Sequence, residues 1–192
     1  MIQGVFLHIP RTGSFSRNYN DRFEKVWSES DEDIPTKCPI YAMLRNETSR
    51  YCSEWNVAKN YFKTEDTFKG WIPLSYPKTF EEFSNDESTH NAMVRILSGC
   101  QLYDETCNPT YQTMMNVFEK IQNGCINIIS HETYSVNSYP QPYKCSDEEL
   151  EISYRVNHLD RLLLEKLRSI NYNEFDTGTL SKRNKRNKRK RS

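Results

Sequence analysis

Nine residues near the start of the chain, His8-Ile9-Pro10-Arg11-Thr12-Gly13-Ser14-Phe15-Ser16, carry the chemistry needed to hold an anion. A strand that turns sharply into a helix leaves unpaired backbone N–H groups aimed at one point, and the helix dipole adds partial positive charge there. Within this stretch Thr12, Ser14 and Ser16 contribute hydroxyl donors, Gly13 lets the backbone approach closely, and Arg11 supplies a full positive charge. A phosphate or phosphosulfate group suits such a cradle. The same residues would also serve a polar strand-to-helix connection with ordinary capping. The Gly-x-x-x-x-Gly-Lys-Ser/Thr pattern of nucleotide triphosphatases is absent.

A second segment adds specificity. Met43-Leu44-Arg45-Asn46-Glu47-Thr48-Ser49-Arg50-Tyr51-Cys52-Ser53-Glu54-Trp55 starts at the end of an apolar run and continues into a helical pattern. Arg45 stands at the end of that run, with Ser53 eight positions on. Together the two segments resemble the cofactor-binding pair of nucleotide-dependent sulfotransferases. There a Pro-Lys-Thr-Gly-Gly-Thr-like loop holds the 5′-phosphosulfate. A later Leu-Arg-Asp-Pro-x-x-Arg-Tyr-x-Ser-Glu-Trp-like segment grips the 3′-phosphate. The narrower resemblance is to the heparan sulfate 6-O-sulfotransferases. It rests on Arg50-Tyr51-Cys52-Ser53-Glu54-Trp55, on Asn91-Ala92-Met93-Val94-Arg95-Ile96-Leu97 and on Asn157-His158-Leu159-Asp160. The resemblance spans about residues 3–175 and is sparse between these anchors.

What it implies is an enzyme that moves a sulfuryl group from 3′-phosphoadenosine 5′-phosphosulfate to a sugar hydroxyl, the 6-O of glucosamine in heparan sulfate, without a metal. Arg11, Thr12, Gly13, Ser14, Phe15 and Ser16 would hold the 5′ end of the donor, and Arg45 with Ser53 the 3′ end. Arg11 takes the place of the family's loop Lys beside the leaving phosphate. It keeps the charge, presents a planar fork, and cannot donate a proton. The resemblance also implies a Golgi-lumenal, membrane-anchored glycoprotein acting on a sulfated polysaccharide.

The sequence departs from the family at the general base. The family takes a His from a long segment between the two motifs; here residues 17–44 contain none. The four histidines are His8, His90, His131 and His158, and His8 reads as a structural residue ending a core strand. Glu24, Glu29, Asp31, Glu32 and Asp33 are carboxylates that the fold would have to bring to the acceptor, and residues 29–33 read better as a solvated acidic loop. The base stays unassigned, and a non-catalytic relative that binds nucleotide or sulfated glycan is the alternative. Asn46-Glu47-Thr48 is a glycosylation sequon beside the 3′-phosphate position. Arg17, Arg22, Arg50, Lys59 and Lys63 either line a groove for a sulfated sugar chain or are scattered surface charges.

The elements that must position these residues follow from hydrophobic spacing. Gln3 to His8 reads as a buried strand, and Phe15, Tyr19, Phe23 and Val26-Trp27 recur at helical spacing, predicting about three helical turns. Pro39 to Leu44 reads as a second strand, Glu47 to Phe62 as a helix with Tyr51, Trp55, Ala58 and Phe62 on one stripe, and Cys125 to Ser130 as a third strand. Thr79 can cap a short helix through Glu82, Asn91 to Leu97 and Thr110 to Gln122 continue helically, and 63–78 and 99–109 are connections. Ser146, with Glu149 in a capping box, opens one long helix from Asp147 to Ile170, with Leu150, Tyr154, Val156, Leu159, Leu162, Leu163 and Leu167 on its buried side. The order predicts an α/β fold, a P-loop-like parallel sheet flanked by helices in one domain over residues 1–177.

The 26 basic and 26 acidic residues of the 192-residue chain hide an asymmetry. Eight of the basic residues fall between Lys182 and Arg191, so the remainder carries 18 basic against 26 acidic residues, a formal charge of −8. Residues 178–192 thus read as a disordered basic tail that could contact a polyanion, a third functional reading. With an acidic body and no recognition motif, specific nucleic-acid binding is not expected. No apolar run approaches the roughly 18 residues of a membrane span, and no signal peptide is read at Met1, so any membrane anchor would lie outside this chain. The six cysteines include no C-x-x-C pair, which argues against zinc. They fit either disulfides, with Cys100 and Cys107 closing a short loop, or small buried thiols.

Overall fold

The structure, a computed structural model, describes residues 4–12, 23–27, 39–61, 79–129 and 144–170. Four short strands form a wholly parallel sheet: β1 (Gly4–His8), β2 (Phe23–Trp27), β3 (Ile40–Ala42) and β4 (Ile126–Ile128), in the order β2-β1-β3-β4. Among the described residues, six α-helices accompany them: α1 (Glu47–Tyr61), α2 (Phe80–Asn85), α3 (Ala92–Leu97), α4 (Tyr111–Gln122), α5 (Asp147–Val156) and α6 (His158–Ser169). The α/β character and the parallel sheet agree with the sequence pattern.

The central strand explains why a parallel sheet forms. Phe6, Leu7 and Ile9 are all buried, with alternate residues entering different clusters, so β1 is covered on both faces. Leu7 and Ile9 join Ile40, Ala42, Ile126 and Ile128 in the main core, which helices α3, α4 and α6 cover. Phe6 turns the other way, to Met43, Tyr41 and Ile129. Burying such aliphatic and aromatic side chains contributes about 1.5–3 kcal/mol each. A separate aromatic cluster, Tyr51, Trp55, Phe80 and Phe83, joins α1 to α2, with Ile152 and Val156 of α5 packed against it.

Two expectations are corrected. Phe23–Trp27 is not the end of a helix but strand β2, paired in parallel register with β1 from Gly4↔Phe23 to His8↔Trp27. A five-residue segment with apolar residues only at Phe23, Val26 and Trp27 is too short to separate the two periods, and pairing with β1 decides between them. The long helix from Asp147 to Ile170 is two helices, broken at Asn157. The Asn157 side chain donates to the Ser153 carbonyl at 2.9 Å, competing with the helical ladder. Leu150 and Tyr154, expected on the buried side, are exposed, because the break re-aims α5 toward α1 and α2 while α6 packs on α3 and α4. The Ser146–Glu149 capping box is present in full, and the Thr79 hydroxyl accepts from Glu82 N–H at 3.1 Å.

Disulfides are formed rather than thiols. Cys52 is bonded to Cys145 and Cys100 to Cys107, Cys125 is disulfide-bonded as well, and no described cysteine is free. The first bridge ties α1 to the entry of α5. Among the described residues, no helix is long and apolar enough to cross a membrane. The expected basic tail, residues 178–192, lies outside the described residues.

Candidate functional site

The two sequence segments meet. β1 and β3 are parallel neighbours, so the loops leaving their C-terminal ends emerge side by side, and the strand order reverses between them. Open parallel sheets hold ligands outside the strand ends at such a reversal. Arg11 follows β1 and Arg45 follows β3, and Arg45 Nη1 donates to the Arg11 carbonyl at 3.1 Å. Thr12 is buried and folds the loop back on itself, its hydroxyl donating to the Ile9 carbonyl at 2.8 Å. The Thr12 hydroxyl is therefore committed to the loop. Gly13, Ser14, Phe15 and Ser16, the rest of the expected cradle, lie outside the described residues.

Asn46 caps α1 by accepting from Ser49 N–H at 2.9 Å, which fixes how the chain passes from Arg45 into the helix. Ser53 stands half-buried one turn beyond Ser49 on the same face. Arg45 lies just before the Asn46 cap and Ser53 within α1, and no hydrogen bond joins the two among the described residues.

Beneath the crevice lies a cluster that the spacing of motifs did not reveal. Glu54, side chain 8% exposed, receives the Tyr103 hydroxyl on Oε1 at 2.6 Å. Its Oε2 faces two cations, Arg11 Nε at 3.5 Å and Arg50 Nη1 at 3.8 Å. Arg50 is fully buried, and among the described residues none of its guanidinium nitrogens has a hydrogen-bond acceptor. It cannot line a groove for a polysaccharide, which corrects one of its expected roles. Lys59 is exposed, its ammonium 6.0 Å from the Trp55 ring, and Arg17, Arg22 and Lys63 lie outside the described residues. Arg11 and Tyr103 both adopt φ of 65°, a conformation that costs a non-glycine residue about 1 kcal/mol or more. Both strained residues reach the same carboxylate. The signal in the sequence was Arg50 and Glu54 at i, i+4, a pairing usually read as a surface salt bridge.

The two other family-like stretches are brought together as scaffold. Asn91, at φ 49°, accepts from the N–H groups of Leu159 and Asp160, while the Asn157 amide oxygen accepts from Asn91 N–H at 3.0 Å. Asp160 in turn accepts from Met93 and Val94 N–H at 3.1 and 2.8 Å, capping α3. Burial raises the Asp160 carboxyl to about 6, with Arg50 and the two amide donors opposing the shift. Arg95 donates to the carbonyls of His90, Asp104, Cys107 and Glu87, closing the loop that the Cys100–Cys107 bridge staples.

The candidate bases fare differently. His8 is buried at the end of β1. His90 sits 2.8 Å from the Ser84 carbonyl, and burial lowers its pKa. His158 opens α6, and His131, Glu29, Asp31, Glu32 and Asp33 lie outside the described residues, as does the side chain of Glu24. Among the described residues, no group of three or more His, Cys, Asp or Glu is placed to hold a metal.

Comparison with family models, with curated proteins and with solved structures finds no match. The geometry around Arg11, Arg45 and Glu54 therefore bears on function by its own chemistry. Two guanidinium groups at adjacent strand ends, with a third, buried arginine on the carboxylate that Arg11 faces, can hold an anion with paired charged groups.

Proposed function

We propose that the chain is a nucleotide-dependent sulfotransferase of the glycan class, with 3′-phosphoadenosine 5′-phosphosulfate as donor and a sugar hydroxyl of a heparan-sulfate-like polysaccharide as acceptor. The observation that carries the reading is the contact between Arg45 and Arg11 across neighbouring parallel strands. It supports a P-loop-like arrangement in which the two motifs serve one ligand. The donor's chemistry fits this site: the Arg11 side chain is 24% exposed, and Ser53 is half-buried on the helix that Arg45 leads into.

In the reaction the acceptor oxygen forms a bond to sulfur as the bond from sulfur to the phosphate oxygen breaks, in line. Arg11 stabilises the charge growing on the leaving phosphate, and Arg45 with Ser53 fixes the 3′-phosphate so that the sulfuryl group faces the acceptor. The acceptor proton passes to a base that is not assigned. The disulfides support an oxidising compartment, consistent with the Golgi lumen.

A second reading, a non-catalytic relative that binds nucleotide or sulfated glycan, is favoured by two observations: Arg11 is drawn toward Glu54, and His90 sits at hydrogen-bond distance from a backbone carbonyl. Titration with 3′-phosphoadenosine 5′-phosphate tests both. Binding by the wild type that weakens about 10- to 100-fold in Arg45→Ala, and measurably in Ser53→Ala, is the expected result, since hydrogen bonds to charged groups are worth about 1.5–3 kcal/mol. Absence of wild-type binding removes the reading. Binding without sulfuryl transfer to desulfated heparan selects the non-catalytic relative.

A further inference from the structure

We infer that Glu54 is the resident counter-anion of the site: it holds Arg11 while no nucleotide is bound and releases it to the ligand's 5′-phosphate. The inference rests on the anion-binding reading above and adds how that site is kept ready.

Three facts carry it. Arg11 Nε and Glu54 Oε2 are 3.5 Å apart, and neither atom has a hydrogen-bond partner, so the pair is held by charge alone. Such a contact exchanges readily for a bidentate guanidinium–phosphate pair with two directed hydrogen bonds. Glu54 itself is anchored from the opposite side by the Tyr103 hydroxyl at 2.6 Å, so it stays behind when Arg11 moves. The buried Arg50, without a hydrogen-bonded acceptor and 3.8 Å from the same carboxylate oxygen, then balances the charge of Glu54. A lone buried carboxylate would be costly, and Arg50 removes that cost. Two cations on one carboxylate leave one positive charge over, and Arg11, 24% exposed in its side chain, is the member that can offer it outward.

Glu54 is therefore a positioning residue that acts through Arg11, and its removal has a signature that a purely structural residue lacks. The test is a double-mutant cycle on the full chain, measured by calorimetric titration with 3′-phosphoadenosine 5′-phosphate and with inorganic pyrophosphate. Glu54→Gln should tighten binding about two- to fivefold, the scale of a partly exposed ion pair. In the Arg11→Ala background the same substitution should change nothing. Equal tightening in both backgrounds would mean only that a negative charge had been removed, and would overturn the inference. So would unchanged or weaker binding by folded Glu54→Gln. Should that variant not fold, the wild type decides by nitrogen-15 resonances of the arginine Nε groups. The Arg11 signal, assigned with Arg11→Lys, should move on saturation with pyrophosphate while that of Arg50 stays; a stationary Arg11 signal refutes the inference. A wild type that binds neither probe removes the anion site as well, whereas binding with an additive cycle removes this inference alone.

Discussion

Asn91 and Asn157 cap each other's helices across 66 residues. Asn157 accepts from the Asn91 N–H at 3.0 Å, and Asn91 accepts from Leu159 N–H at 2.9 Å, two residues beyond the break at Asn157 between α5 and α6. Both side chains are buried, so each bond replaces water that has no access. With Asp160 returning the favour to the N-terminus of α3, the two stretches form one closed exchange of donors and acceptors.

Asn91→Ala should destabilise the fold by about 2–4 kcal/mol, from lost caps and buried N–H groups left unsatisfied. Because Asn91 sits at φ 49°, Asn91→Gly should cost about 1 kcal/mol less than Asn91→Ala. Urea unfolding of the two variants measures the difference, and equal losses would show that the left-handed backbone carries no strain.

The raised Asp160 carboxyl gives a pH signature. Its folded value is about 6 against an ordinary value near 4, so between these limits the unfolded chain has released a proton that the native state keeps. Stability from this group therefore falls as pH rises through that window, by on the order of 2–3 kcal/mol, and is flat above it. Asp160→Asn does not titrate. The stability difference between wild type and Asp160→Asn should shrink from pH 4 to pH 6.5; a constant difference would refute the assignment.

The two bridges should contribute unequally. Cys52–Cys145 spans 93 residues and should be worth about 4–5 kcal/mol, against about 2–3 kcal/mol for Cys100–Cys107, which spans 7. Paired Cys→Ser variants compared by denaturant unfolding read this directly. A reversed order would mean that the loop held by Arg95 depends on its staple more than the whole chain depends on its longest link.

Arg95→Lys should cost about 2–4 kcal/mol while leaving affinity for 3′-phosphoadenosine 5′-phosphate unchanged. An ammonium has three donors, whereas the guanidinium serves four carbonyls. A selective loss of nucleotide affinity with stability intact would place Arg95 at the ligand instead.

How much of this was legible depends on whether the cause lay within a few residues. The capping box at Ser146 and the cap at Thr79 are local hydrogen bonds, and the sequence shows them. Strand β3 follows from a compact apolar run and helix α1 from its apolar stripe, and with them the placement of Arg45. Phe23–Trp27 was not legible, because its identity as a strand depends on pairing with β1. The break at Asn157 was not legible either, since an Asn amid helical spacing reveals its role only when Asn91 approaches from 66 residues away. The Glu54 cluster combines residues from the β1 loop, α1 and the segment around Tyr103, and no spacing rule reaches across such distances.

The order of elements along the chain also sets an order in time. Strands β1, β2 and β3 and helix α1, with Arg11 and Arg45 in the loops between them and Ser53 and Glu54 on α1, precede the other described elements along the chain. Tyr103, which anchors Glu54, and β4, which completes the sheet, emerge later, and Cys145, the bridge partner of Cys52, later still. During synthesis the incomplete sheet exposes the edge of β3 and the apolar side chains that α3, α4 and α6 will cover. Such exposed edges and surfaces invite association with other chains. The Arg11–Glu54 pair is thus made before Tyr103, which anchors it, and before Cys145, which closes the bridge to Cys52.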